Sequence, residues 1–138
     1  KVNGYCSDFT RTVAIGQVSD ELKKIYQIVL DANLMALEGL CAGKKGKDVD
    51  AIARDHIEKN GYGKFFGHGL GHGVGLMIHE EPRLSLKGET TLMSGMAVTV
   101  EPGIYLPGIG GVRIEDLCIV RDGGCDKLSN STKELITL

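Results

Sequence analysis

Between Gly67 and Pro82 the chain reads G-H-G-L-G-H-G-V-G-L-M-I-H-E-E-P, which places three of its four histidines, His68, His72 and His79, among five glycines. Glycine has no Cβ, so such a run lets backbone and imidazoles crowd around one point. It would make a poor helix, and an extended, bending strand is expected. On a strand, side chains alternate between faces, so His68 and His72 point the same way. His79, seven positions beyond His72, requires a bend or loop between them. This pattern suits a cleft lined from two directions.

The 138 residues are of single-domain size and can bury a core. A net charge of −2 with no basic block argues against nucleic acid as a partner. No apolar run approaches the roughly 18 to 20 residues of a membrane span, and no signal peptide is visible. The cysteines, Cys6, Cys41, Cys118 and Cys125, contain no C-x-x-C pair. They read as reduced thiols of a cytoplasmic protein.

Val2 to Ile15 favours a strand that carries Asp8. Ser19 is a good N-cap, with Asp20 and Glu21 in the first turn. Leu22, Ile25, Tyr26, Val29, Leu30, Asn33, Ala36 and Leu37 then follow one helical face up to Gly39. A second helix is expected from Lys47 to Lys59, with Gly61 as its stop; His56, beside its inner face, reads as structural. Both helices are assigned to covering a sheet. Arg83 to Ser94 is polar and turn-like, Met96 to Tyr105 and Gly111 to Val120 read as strands, and a short final strand is expected at Glu134 to Leu138. Pro102 and Gly103 end regular pairing in the first of these strands.

Asp8, His72, Glu101 and Glu115 each fall on an expected strand, where a carboxylate or imidazole is awkward unless it has a partner. Carboxylates plus imidazole are a ligand set for divalent Mn, Co, Zn or Fe. Two metals sharing bridging carboxylates would hold a hydroxide nucleophile at neutral pH. His68 and His79 would remain to bind and protonate substrate. The competing arrangement is a structural ion-pair cluster, for which Arg11 and Arg113 offer too little positive charge.

G-Y-C-S-D-F-T-R-T, H-G-L-G-H-G-V-G-L-M-I-H-E-E-P, V-E-P-G-I-Y and G-V-R-I-E-D resemble, in order, the signature blocks of the pita-bread metallopeptidases, specifically the Xaa-Pro aminopeptidase and prolidase branch. The resemblance implies an α+β class, a partial pita-bread fold whose curved, mainly antiparallel sheet is backed by two helices. It implies that Asp8 and Glu115 bridge two divalent ions, with His72 and Glu101 completing one ion site. Manganese is expected first, with cobalt or zinc as alternatives. His68 and His79 resemble substrate-binding and proton-handling histidines, and Tyr105 and Arg113 match a network that steadies the carboxylates. The implied substrate is a peptide or dipeptide with proline at its second position, and the parent protein is expected to be a homo-oligomer.

Only seven residues precede Asp8, whereas the family places a fifth, aspartate ligand further upstream. The whole of residues 1–138 is therefore expected to be the C-terminal portion of the catalytic domain. It should bind one metal or none and be weak or inactive alone. Apolar residues of Tyr5 to Ile15 and of Met96 to Tyr105 should lie exposed on a truncated sheet and drive self-association. The alternatives are a non-catalytic pita-bread module that binds peptides or proteins, and a methionine aminopeptidase-like enzyme, which shares the G-H-G and H-E-E-P features.

Overall fold

A computed structural model describes residues 1–138. Helix α1, Asp20–Gly39, begins where the Ser19 hydroxyl accepts the Leu22 amide. It buries Ile25, Tyr26, Ile28, Val29, Ala32, Asn33 and Ala36, with Leu22, Leu30 and Leu37 packed at the margin. Helix α2, Gly46–Lys59, buries Val49, Asp50, Ala53 and Ile57. The chain turns away at Gly61 with φ +86°, a conformation that favours glycine. The two helices pack on each other, α1 also against residues 97–100, 103–106, 110–113 and 124–127 and α2 against residues 80–84. No helix is long and apolar enough to cross a membrane.

The strands are β1 (Gly71–Gly73), β2 (Glu80–Leu84), β3 (Ala97–Val100), β4 (Gly103–Leu106), β5 (Gly110–Arg113), β6 (Asp116–Arg121) and β7 (Gly124–Lys127). Five form one antiparallel sheet in the order β2-β1-β3-β6-β7, while β4 and β5 form a separate hairpin. The architecture is the expected α+β class, an antiparallel sheet with two helices. The core runs between helices and sheet through Leu40, Leu70, Leu84, Leu92, Val98, Val100, Ile104 and Ile114, all essentially inaccessible to solvent.

Several element boundaries differ from the sequence expectation. Val2 to Ile15 is not a strand: it touches the body through single bridges, Thr10 with Glu115 and Ala14 with Thr137. The expected last strand at Glu134 to Leu138 is reduced to that second bridge. The glycine-histidine segment supplies only a three-residue strand, then bends and returns as β2, which takes up the start of the region read as turn-like. Met96 to Tyr105 and Gly111 to Val120 are each broken in two, at Glu101-Pro102 and at Ile114-Glu115, where the chain passes between the sheet and the hairpin. Of the four ligand candidates only His72 therefore lies on a strand. Tyr5, Phe9, Val13 and Ile15 are exposed as expected, but Val98, Val100 and Ile104 are fully buried beneath the helices, so the second stretch is core rather than open face.

Candidate metal centre

Strand β1 runs between β2 and β3, and its glycines make that approach possible. A Cβ at Gly71 would overlap the Thr99 carbonyl oxygen, and one at Gly73 the Glu81 carbonyl oxygen. His72, between them, is buried. Its backbone N–H donates to Thr99 Oγ1 (3.0 Å), and Thr99 Oγ1 donates to Glu101 Oε1 (3.0 Å). The same hydroxyl thus orients both the histidine and the glutamate across the strand pair.

The break at Ile114-Glu115 turns the Glu115 carboxylate toward the same point. Its Oε2 accepts from Thr10 Oγ1 at 2.5 Å, and its backbone N–H donates to the Thr10 carbonyl (3.0 Å). That bridge carries the adjoining Asp8 into place. His72 Nε2 lies 3.1 Å from Glu101 Oε1 and 3.8 Å from Asp8 Oδ2. Ligand atoms of Asp8, His72 and Glu115 lie within 4.8 Å of one another. The four residues, spread over most of the chain, therefore meet around one imidazole nitrogen.

The electrostatics of this cluster call for a cation. His72 Nδ1 faces the Gly73 carbonyl at 3.1 Å. With the proton on Nδ1, the Nε2 lone pair points at carboxylates, a repulsive arrangement unless a proton or a metal ion lies between. Burial lowers the His72 pKa, but hydrogen bonds to Glu101 and Gly73 and the charges of Glu101 and Asp8 outweigh it, and the net shift is upward. Burial likewise pushes Glu101 up, yet its bonds to His72 and Thr99 and the charges of His72 and His68 bring it below the usual carboxylate range. Glu115 is pushed up to about 7: burial is the main cause, the Thr10 bond opposes it, and the charges of Glu101 and Asp8 add to it.

The charge of Arg113 lowers the Glu115 pKa and so relieves this in part, but neither arginine forms an ion pair with a carboxylate of the cluster. Arg11 pairs with Asp116 (2.8 Å) and with backbone carbonyls. Arg113 donates to Thr10 Oγ1 (3.3 Å) and Tyr105 Oη (3.2 Å). A divalent ion fits the donor set, the inward lone pair and the missing positive charge together.

Around the cluster is a polar cleft of about 300 Å³ lined by His68, Gly69, Gly71, His72, His79, Arg83, Ser85, Glu101 and Arg113, with no hydrophobic residue. His68 Nδ1 bonds the Gly69 carbonyl (2.8 Å), which leaves Nε2 to accept from Tyr105 Oη (2.9 Å). The exposed His79 ring meets the His72 ring edge-on at 4.4 Å between centroids. His68, His79 and Arg113 thus line the cleft and Tyr105 bonds two of them, whereas His56 lies away from it on α2.

The sequence reading missed Arg83 and Ser85, which sat in a stretch read as turn. It also missed Thr10 and Thr99, each two residues from a carboxylate and so on its face of an extended chain, a signal that was available. Nothing local marked Asp50 and Arg54. These pair on α2 (2.7 Å) and hold the Leu70 amide and the Phe66 and His68 carbonyls, which fixes the path of the chain through His68.

The sequence model of metallopeptidase family M24 matches residues 1–122. The chain belongs to metallopeptidase family M24. Among curated relatives, an uncharacterized peptidase of Bacillus subtilis is 53% identical over 98% of the chain, and an Xaa-Pro dipeptidase of Pyrococcus furiosus is 48% identical over 97%. Among solved structures, an Xaa-Pro dipeptidase from Bacillus anthracis superposes with a TM-score of 0.97 at 58% identity, and an X-Pro aminopeptidase from Thermotoga maritima with 0.95 at 44%; each match covers 98% of the chain. The chain spans 38% of the length of each of these four relatives. The M24 family is metal-dependent, in agreement with the charge deficit at His72.

Proposed function

We propose that this M24 chain carries the metal centre of a peptidase that hydrolyses the bond preceding a proline, with Asp8, His72, Glu101 and Glu115 as ligands. The observation that carries the reading is the convergence of three carboxylates on the inward lone pair of a buried histidine, with no arginine or lysine paired to them. Asp8 and Glu115 would be shared between two divalent ions, and His72 and Glu101 would hold one of them. Manganese is our first choice on its preference for oxygen ligands, and cobalt or zinc would also suit the set. A divalent ion bound there supplies Lewis acidity toward a peptide carbonyl and acidifies water.

The chain's own residues supply the rest. Thr10 and Thr99 hold the two glutamates in orientation by hydrogen bonds. His68, bonded to Tyr105 and backed through it by Arg113, is placed to bind the substrate backbone and hand over a proton. His79, open to solvent beside His72, is the second imidazole available to the leaving nitrogen. Arg83 brings an exposed guanidinium to the cleft and can pair with the free carboxylate of a dipeptide. Relatives bearing the name Xaa-Pro dipeptidase support this substrate class. Free thiols at all four cysteines suit a reducing compartment, so we assign the enzyme to the cytoplasm. The exposed Tyr5, Phe9, Val13 and Ile15 are the surface we assign to self-association.

The test is hydrolysis of Xaa-Pro against Xaa-Ala dipeptides by the full-length protein with and without manganese. Cleavage confined to Xaa-Pro, dependent on metal and abolished in His72→Ala, is expected. Equal cleavage of both substrates, or activity unaffected by chelator, would overturn the reading.

A further inference from the structure

Asn33 is a fully buried polar residue in the middle of α1, surrounded by the apolar face that packs on the sheet. Its side-chain amide makes two long-range donations. Nδ2 donates to the Val100 carbonyl at 3.0 Å and to the Ile114 carbonyl at 3.3 Å. Val100 immediately precedes Glu101, and Ile114 immediately precedes Glu115. One amide therefore bonds the chain at both breaks, just before each glutamate of the cluster.

The other end of the amide is also held. Lys133 Nζ donates to Asn33 Oδ1 at 2.5 Å and lies 2.6 Å from Asp116 Oδ2. Asp116, fully buried, accepts from Arg11 through Oδ1 at 2.8 Å, and Arg11 in turn donates to the Glu115 carbonyl at 2.6 Å and the Thr10 carbonyl at 2.9 Å. The lysine at Oδ1 dictates which way the amide faces, because an ammonium only donates. The carbonyls on both sides of Glu115, those of Ile114 and Glu115 itself, are thereby pinned by a continuous polar chain.

We infer that Asn33 is a positioning residue for the metal centre: its amide fixes Glu101 and Glu115 relative to each other, and the Lys133-Asp116-Arg11 chain fixes the amide. This rests on the metal-centre reading given above. The physical need arises from the breaks themselves. At Glu101 and Glu115 the chain passes between sheet and hairpin, so the regular ladder that sets the spacing of β3 and β6 ends at the Val100–Asp116 pair, one residue short of each glutamate. Asn33 supplies, from a rigid helix, the cross-link that the ladder no longer gives. A group that orients ligands in this way typically changes metal affinity or activity by about 10–100-fold when lost.

The experiment compares Asn33→Asp and Lys133→Met with wild type in the full-length protein, titrated with Co²⁺ alone and followed by calorimetry and visible absorption. Asn33→Asp keeps the shape and the acceptor for Lys133 but removes both donated N–H groups. Lys133→Met leaves the donors and frees the amide. Apo melting curves give the folded fraction, to which affinities are referred. For Asn33→Asp the expected result is a fall in Co²⁺ affinity of about 10–100-fold, with a changed visible spectrum, and kcat lowered more than KM is raised. Lys133→Met should show a smaller change in the same directions, and it decides the matter if Asn33→Asp does not fold.

A merely structural asparagine would lower the melting temperature and leave the affinity and spectrum of the folded protein untouched, and that result overturns the inference. Wild type that binds no Co²⁺ would instead overturn the metal-centre reading itself.

Discussion

The body of the molecule and its first sixteen residues are built on different principles, and both deliver ligand candidates to the same cluster. His72, Glu101 and Glu115 are set on or beside strands whose neighbours, Val98, Val100, Ile104 and Ile114, are fully buried under α1 and α2. Asp8 belongs to a segment without a ladder, held by the Thr10–Glu115 and Ala14–Thr137 bridges and by Arg11, with Ile15 85% exposed. Three of the ligand candidates thus stand on the packed body, and the fourth stands on a segment held by a few polar contacts. The segment contributes the Asp8 charge and, through Thr10, the hydrogen bonds that orient Glu115, and its own order depends on being held.

Substitutions on the two sides of this division should differ most in stability. Ile104→Ala, in the core under α1, is expected to cost about 2–5 kcal/mol. Chemical denaturation checks this, and a cost below that of Ile15→Ala would break the comparison.

The titration of Glu115 comes next in size. Its folded pKa of about 7 lies above the ordinary value of 4.5. Between those values the folded state holds the extra proton, so stability falls as pH rises. At about 1.4 kcal/mol per pH unit, the loss for the metal-free chain has a ceiling of about 3 kcal/mol between pH 4.5 and 7. His72, whose pKa is raised, adds a loss in the same direction as pH climbs through its folded value. Glu101, whose pKa is lowered, acts oppositely and only on the acid side of that window. Apo melting temperatures measured across pH 4.5 to 7.5 should decline; a rise would show that Glu115 is ionised in the folded state and the charge deficit small.

Gly71→Ala should cost about 1–3 kcal/mol by forcing β1 away from the Thr99 carbonyl, and it should weaken metal binding by moving His72. A variant that melts like wild type would mean β1 is less tightly held than the body around it. The smallest effect is expected from Ile15→Ala, within about 0.5 kcal/mol. A larger loss would place the segment among the packed parts of the protein.

The same division explains what the sequence revealed. Helix α1 was legible from Ser19 to Gly39 because cap and stripe are local signals, and the convergence of Asp8, His72, Glu101 and Glu115 was legible because such residue types stand out in stretches of strand composition, although only His72 lies on a strand. Pro102 announced the break after Glu101. The break at Ile114-Glu115 carries no local mark, since G-V-R-I-E-D-L-C-I-V reads as one strand; it is imposed by Thr10 and Asn33 from far along the chain. β7 was missed because G-C-D-K is short and half-polar and pairs only once Asp122-Gly123 has turned the chain back along β6. Val2 to Ile15 has strand composition but no neighbour to complete a ladder, so propensity failed there. Asn33 fell within an apolar stripe and read as part of it, and its role emerged only from the two carbonyls it bonds.

On the proposed reading, the Asp8, His72, Glu101 and Glu115 cluster takes up a cation by displacing protons. Calorimetric titration of the metal-free protein with Mn²⁺ at pH 6, repeated in buffers of different ionisation enthalpy, tests it most directly. Binding accompanied by proton release is expected, since Glu115, with a pKa of about 7, holds a proton there without metal and the upward shift of His72 acts in the same sense, and His72→Ala should bind far more weakly. Absence of binding, or binding with no proton release and no loss in His72→Ala, would contradict the claim.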